Sequence, residues 1–154
     1  MIGLDIRVKN GYSNYLSKIF KGLNLLNYIW EINADDFLYT QNDDKEEGFF
    51  GADILNGEEF FRCISRDSYY MVFADIKAFP LGLGHGGIKI NSFKDFLESN
   101  CEIVLLCTDS MYIEFYSKSR KLLDKVYNNC IGANFEKVEY RSVDEVSGRN
   151  LVAW

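Results

Sequence analysis

Histidine and proline each occur once in the 154 residues, as His85 and Pro80. Any histidine-dependent triad or general base must therefore use His85, and no proline-rich linker divides the chain. No apolar run is long enough to span a bilayer. The start, Met1-Ile2-Gly3-Leu4-Asp5-Ile6-Arg7, has no basic region followed by an apolar one, so a signal peptide is not expected. A cytoplasmic protein without a membrane partner is the expectation. No two of the four cysteines (Cys63, Cys101, Cys107, Cys130) are separated by two residues, which excludes zinc-knuckle and thioredoxin-type spacing. Cys101 and Cys107 are expected on one face of one strand, roughly 20 Å apart and beyond disulfide reach, so buried reduced thiols are expected. P-loop, zinc-protease, nucleophile-elbow and kinase signatures are all missing, and no cofactor or metal is expected.

Cations are also scarce where anions are dense. Between residues 31 and 60, ten acidic residues face a single Lys45, a local charge of −9 within a net −6. The rest of the chain carries a surplus of +3. Nucleic-acid binding through a broad basic surface is disfavoured, because neutralising phosphates needs clustered cations. The acidic stretch instead points to a basic protein partner met through Asp35, Asp36, Asp43, Asp44, Glu46, Glu47 and Tyr39. As a calcium loop it fails. Counting from Asp43, Gly48 falls at the sixth position, but Lys45 takes a ligand place and Ile54 stands where a bidentate Glu belongs.

What is present is a set of strong periodicities. Hydrophobic residues make up 47% of the chain, enough for one domain over 1–154 with a sizeable core. Residues 102–107 are almost wholly apolar, the mark of a strand covered on both faces, and Thr108-Asp109-Ser110 supplies turn chemistry. Met111, Ile113 and Phe115 alternate with Tyr112, Glu114 and Tyr116, so an antiparallel hairpin is expected. Leu122, Leu123, Val126, Tyr127, Cys130 and Ile131 then recur at helical spacing, with Ser117 or Ser119 as cap and Gly132 suited to the left-handed position past the end. Another alternating strand follows near Phe135, Val138 and Tyr140.

The N-terminal half reads in the same way. Ile2, Leu4, Ile6 and Val8 alternate with Gly3, Asp5, Arg7 and Lys9 as a strand, and a helix through Tyr15, Leu16, Ile19 and Phe20 takes Ser13 as its cap. Residues 28–32 form a strand, with 37–40 expected as its hairpin partner. Asn56 caps a short helix carrying Glu58 and Glu59 in its first turn. Residues 69–78 read as one strand emerging to solvent near Asp75, and Asn91 or Ser92 caps a helix at Phe93. Leu151-Val152-Ala153-Trp154 is expected to pack back on the sheet.

The run Asp109-Ser110-Met111-Tyr112-Ile113-Glu114 with Phe135-Glu136-Lys137-Val138-Glu139-Tyr140 resembles a small bacterial domain family of unknown function. Trp30-Glu31-Ile32 and the ending Asn150-Leu151-Val152-Ala153-Trp154 are similar too. The resemblance implies a bacterial cytosolic domain and carries no assigned activity, so it transfers no functional residue.

The expected fold is α+β: a mixed, mainly antiparallel sheet of about six or seven strands with about four helices mostly on one face. Two sites suggest themselves besides the acidic stretch. Gly82-Leu83-Gly84-His85-Gly86-Gly87 matches the dinucleotide fingerprint in letters, yet Ile88-Lys89-Ile90 separates it from the next helix, contrary to the geometry pyrophosphate requires. A glycine loop using Gly84, His85 and Gly86, with Asp75 and Asp109 as nearby carboxylates, is the ligand-binding alternative. Tyr12, Tyr39, Tyr112 and Tyr116 are expected to be partly exposed, as amphipathic rings covering a sheet edge, with a recognition surface as the alternative. The functional expectation is a non-enzymatic binding module, inhibitor- or immunity-like. The alternative is a small enzyme or ligand-binding protein built on the glycine loop.

Overall fold

A computed structural model describes residues 1–33, 38–40, 48–82 and 89–153. Nine strands and five helices occur among them. Seven strands form one sheet in the order β4 (Ile54–Asn56), β2 (Tyr28–Asn33), β6 (Ala74–Pro80), β7 (Ile103–Thr108), β8 (Tyr112–Ser117), β1 (Gly3–Arg7), β9 (Lys137–Arg141). Every pairing is antiparallel. β7, apolar on both faces, takes the central place, as its composition demands.

The first face carries Trp30 and Ile32, Ile76 and Ala78, Ile103, Leu105 and Cys107, Ile113 and Phe115, and Leu4 and Ile6. Helices α1 (Tyr15–Ile19), α2 (Gly57–Ile64) and α4 (Arg120–Gly132) cover it. Trp30 anchors this core. Its ring stacks on Phe60 at 3.9 Å between centroids, and its Nε1–H donates to the Leu25 carbonyl at 3.1 Å. α2 begins tight against the 3-10 turn Leu25–Asn27, where a Cβ on Gly57 would stand 2.2 Å from the Leu25 oxygen. Asn56 caps its start as expected, and Glu59 completes a capping box with it.

On the second face α3 (Phe93–Glu98), α5 (Val143–Val146) and the segment after it bury Ile2, Phe79, Val104, Leu106 and Tyr116. Ser92 caps α3, and Leu151 and Ala153 are buried, so the C-terminal segment does return to the sheet. It covers only the middle. Over β8, β1 and β9 the second face is left to polar side chains.

Several expectations are corrected. β3 (Leu38–Thr40) does not pair with β2; it forms a separate two-stranded sheet with β5 (Tyr69–Met71), and β2 is flanked by β4 and β6. Residues 69–78 thus belong to two strands in two sheets, β5 and β6. Asp75 does not emerge to solvent: it and Lys77 are among the most buried side chains. Gly132 lies inside α4, and Asn134, at φ 57°, takes the left-handed position. Ser13 caps nothing. It forms a backbone bridge to Tyr69, whose hydroxyl accepts from the Leu16 and Ser17 N–H groups at 2.9 and 3.2 Å. Cys101 precedes β7 and packs in the second-face core, whereas Cys107 packs in the first. All four cysteines are buried thiols, and burial pushes those of Cys101, Cys107 and Cys130 up to about 12. No described helix is long and apolar enough to cross a membrane.

Candidate functional site

The polar phases of β8, β1 and β9 meet on the open half of the second face, because β1 pairs with both neighbours in register. The side chains stand in three cross-strand rows. Tyr112, Arg7 and Lys137 form the first, Glu114, Asp5 and Glu139 the second, and Tyr116, Gly3 and Arg141 the third. Asp5, Arg7, Tyr112, Glu114, Lys137 and Arg141 of these rows, together with Thr108 and Arg149, line a cleft of about 390 Å³.

The middle row places three carboxylates side by side, an arrangement that is unfavourable without counter-charge. Two arginines supply it. Arg149, reaching in from the C-terminal segment, donates from Nη1 to Asp5 Oδ1 at 2.7 Å and from Nη2 to Asp5 Oδ2 at 3.1 Å. The same Nη1 lies 2.9 Å from Glu114 Oε1 and 3.1 Å from the Tyr116 hydroxyl. Arg141 donates from Nε to Asp5 Oδ2 at 2.8 Å and from Nη2 to Glu139 Oε2 at 2.7 Å. Gly3 makes room for this network. The Tyr116 ring lies across it, where a Cβ would come within 2.7 Å of the ring, and the Tyr116 hydroxyl donates to Glu114 at 2.5 Å. Tyr116 is therefore fully buried, not an exposed recognition residue.

Burial alone would raise the Asp5 carboxyl, but the Arg149 and Arg141 hydrogen bonds and charges together outweigh it and hold the group below its ordinary value. Burial, then the bond to Glu114, pushes the Tyr116 phenol well up. The floor of the cleft is a locked ion network. The first row differs. The side chains of Arg7 and Lys137 are 46% and 51% exposed, against 25–31% for Asp5, Glu114, Arg141 and Arg149; Glu139, at 42%, lies between. Arg7 packs its guanidinium 5.5 Å from the centre of the half-exposed Tyr112 ring.

Across residues 1–152 the sequence matches the profile of a family described as "Protein of unknown function (DUF2691)". The chain belongs to that family. This DUF2691 chain is also 30% identical over 139 residues to the "Uncharacterized protein YncE" of Bacillus subtilis (strain 168), covering 90% of each chain. No solved structure matches it.

Of the residues expected from the sequence, Tyr112 lines this cleft, whereas Asp75 and Asp109 do not. Asp75 is paired with Lys77, Oδ1 to Nζ at 2.5 Å, and Lys77 also donates to the Leu151 carbonyl at 2.7 Å. The pair borders a second, smaller cleft of about 220 Å³ with Glu31, Asn33, Lys89 and Asn91. Asp109 is an exposed turn residue at φ 51°, three residues beyond Leu106, the cross-strand partner of Asp75. That is roughly 10 Å along the strand, so the two acids do not act as a carboxylate pair. Gly84, His85 and Gly86 fall outside the described residues, as do Asp35, Asp36, Asp43, Asp44, Glu46 and Glu47. Tyr39 is placed through its backbone, opposite Tyr70 in the small sheet.

Asp5, Glu114, Arg141 and Arg149 were not singled out by sequence reasoning. The alternation of Asp5, Arg7, Glu114 and Glu139 with core residues was legible as polar strand phase. What made it a site, the pairing of β1 with both β8 and β9, joins segments more than a hundred residues apart.

Proposed function

We propose that this chain is a non-catalytic binding module whose working surface is the cleft over β8, β1 and β9. One observation carries the reading: the cleft's carboxylates are already held by Arg141 and Arg149, while Tyr112, Arg7 and Lys137 remain half-exposed at its mouth. An aspartate whose pKa is lowered by two guanidinium groups is a poor general base near neutral pH, since proton transfer needs a group poised near the working pH. A rigid floor with adaptable donors at the rim instead suits recognition of a small molecule, and 390 Å³ lies within the range of about 300–1,000 Å³ typical of such pockets. Titrating the protein with a chemically diverse set of small molecules, followed by amide chemical shifts, should move the signals of Arg7, Thr108, Tyr112 and Lys137 together. Binders that perturb only other surfaces would remove the reading.

A second reading, a basic protein partner, is favoured by a different surface. Leu26 and Phe61, 60% and 59% exposed, line a groove with Glu58 at its side, within or next to the acidic 31–60 stretch. Exposed aromatic and aliphatic side chains with a carboxylate at the rim suit a basic amphipathic segment. On this reading Phe61→Ser weakens partner capture at low ionic strength by about 2 kcal/mol or more, as loss of an anchor does. Capture unchanged by Phe61→Ser would dismiss it.

A further inference from the structure

Arg7 and Lys137 are directly opposite each other on neighbouring strands, a placement that sets like charges about 5 Å apart at their Cβ atoms and costs stability unless something lies between them. Their own acids are poorly placed to do so. Glu136 approaches Arg7 Nε only to 3.8 Å, beyond hydrogen-bond distance. Glu139 approaches Lys137 at 3.3 Å but gives its other oxygen to Arg141 at 2.7 Å. The next position in the same row is Tyr112, and the one after it Thr108. Along the row, then, stand an ammonium, a guanidinium, a half-exposed ring and a hydroxyl, spaced by the interstrand distance of about 4.8 Å.

Resting on the binding-module reading of this cleft, we infer that its ligand is a phosphomonoester carrying a flat ring. The phosphoryl group sits between Lys137 and Arg7, and the ring lies against Tyr112. A carboxylate brings one negative charge to two cations. A phosphomonoester brings about −1.5 to −2 and three acceptor oxygens, which matches the pair in charge and offers the guanidinium fork two parallel bonds. Phosphoryl and ring need be separated by only about one strand spacing, within reach of a compact aryl or nucleoside monophosphate. The acidic middle row borders the site on its inner side, but Arg141 and Arg149 neutralise most of it, so the row repels a bound anion weakly.

Phenyl phosphate, inorganic phosphate, phenol and benzylamine, titrated against the whole chain by calorimetry and amide shifts, test this. Phenyl phosphate should bind at least about tenfold tighter than phosphate or phenol and shift Arg7, Tyr112 and Lys137. Arg7→Gln and Lys137→Gln should each weaken it about tenfold, and Tyr112→Ala should reduce it to the level of inorganic phosphate. Both cations are half-exposed, so these variants keep the fold, which a thermal melt verifies. Phenyl phosphate binding that survives all three substitutions overturns the inference. Benzylamine, but not phenyl phosphate, shifting the same amides overturns the ligand class while leaving the cleft a binding site. Silence of the cleft to every probe removes both.

Discussion

Tyr69 shows how much one side chain can settle. Asn14, the N-cap of helix α1, makes no side-chain capping bond, so the helix's first N–H groups need another acceptor. The Tyr69 hydroxyl, from a strand more than fifty residues away, accepts from Leu16 and Ser17 and donates to the Ile64 carbonyl at 3.0 Å. Burial pushes its phenol well above the ordinary range, so it stays protonated and keeps all three bonds. Tyr69→Phe preserves the packing of a fully buried ring and strands these groups. A loss of about 1–3 kcal/mol is expected, read as a lower urea midpoint with an unchanged slope. An unchanged midpoint would mean that water replaces the hydroxyl.

Among the elements, the segment from α5 to Ala153 has the most unusual tie. It enters the second-face core through Val146, Leu151 and Ala153, bonds its Leu151 N–H to the Asn91 carbonyl at 2.9 Å, and sends Arg149 into the cleft. Its charge anchor titrates. Because the folded-state pKa of Asp5 is depressed, the Asp5–Arg149 contribution is complete above the ordinary aspartate range and is lost as pH falls below about 4 through the lowered value. Hydrogen exchange at residues 146–151 should therefore quicken on acidification through that window before the central strands respond. Asp5→Asn should bring the quickened exchange to neutral pH and flatten its pH dependence below 4. Equal protection in both proteins across that range would show that the apolar anchors hold the segment alone.

For the whole molecule the relevant quantity is how charge is distributed. The acidic stretch and the cleft's cationic rim come from different parts of the sequence, so the net charge of −6 describes neither. Long-range attraction depends on local density and falls off beyond a Debye length of about 8 Å at physiological salt. If the basic-partner reading holds, association should slow roughly tenfold or more between low and high salt, while the effect of Phe61→Ser stays constant, since one is steering and the other contact. The buried Asp75–Lys77 pair is a different case. It joins the centre of the sheet to the end of the chain through Leu151, and its desolvation makes it a device of placement more than of net stability.

Much of the architecture was legible without coordinates. The all-apolar run of β7, the alternation of β1 and β8, the amphipathic face of α4 and the cap at Asn56 are each decided within a dozen residues, because backbone period and local hydrogen bonding act at that range. Non-local contacts decided the rest. The break of residues 69–78 into two strands, the burial of Asp75 against Lys77, the capping of α1 by Tyr69 and the three rows of the cleft all depend on which strand lies beside which. An aspartate in a strand reads as exposed until its partner is known. The local chain sets which face a residue takes, and only the folded sheet sets what that face meets.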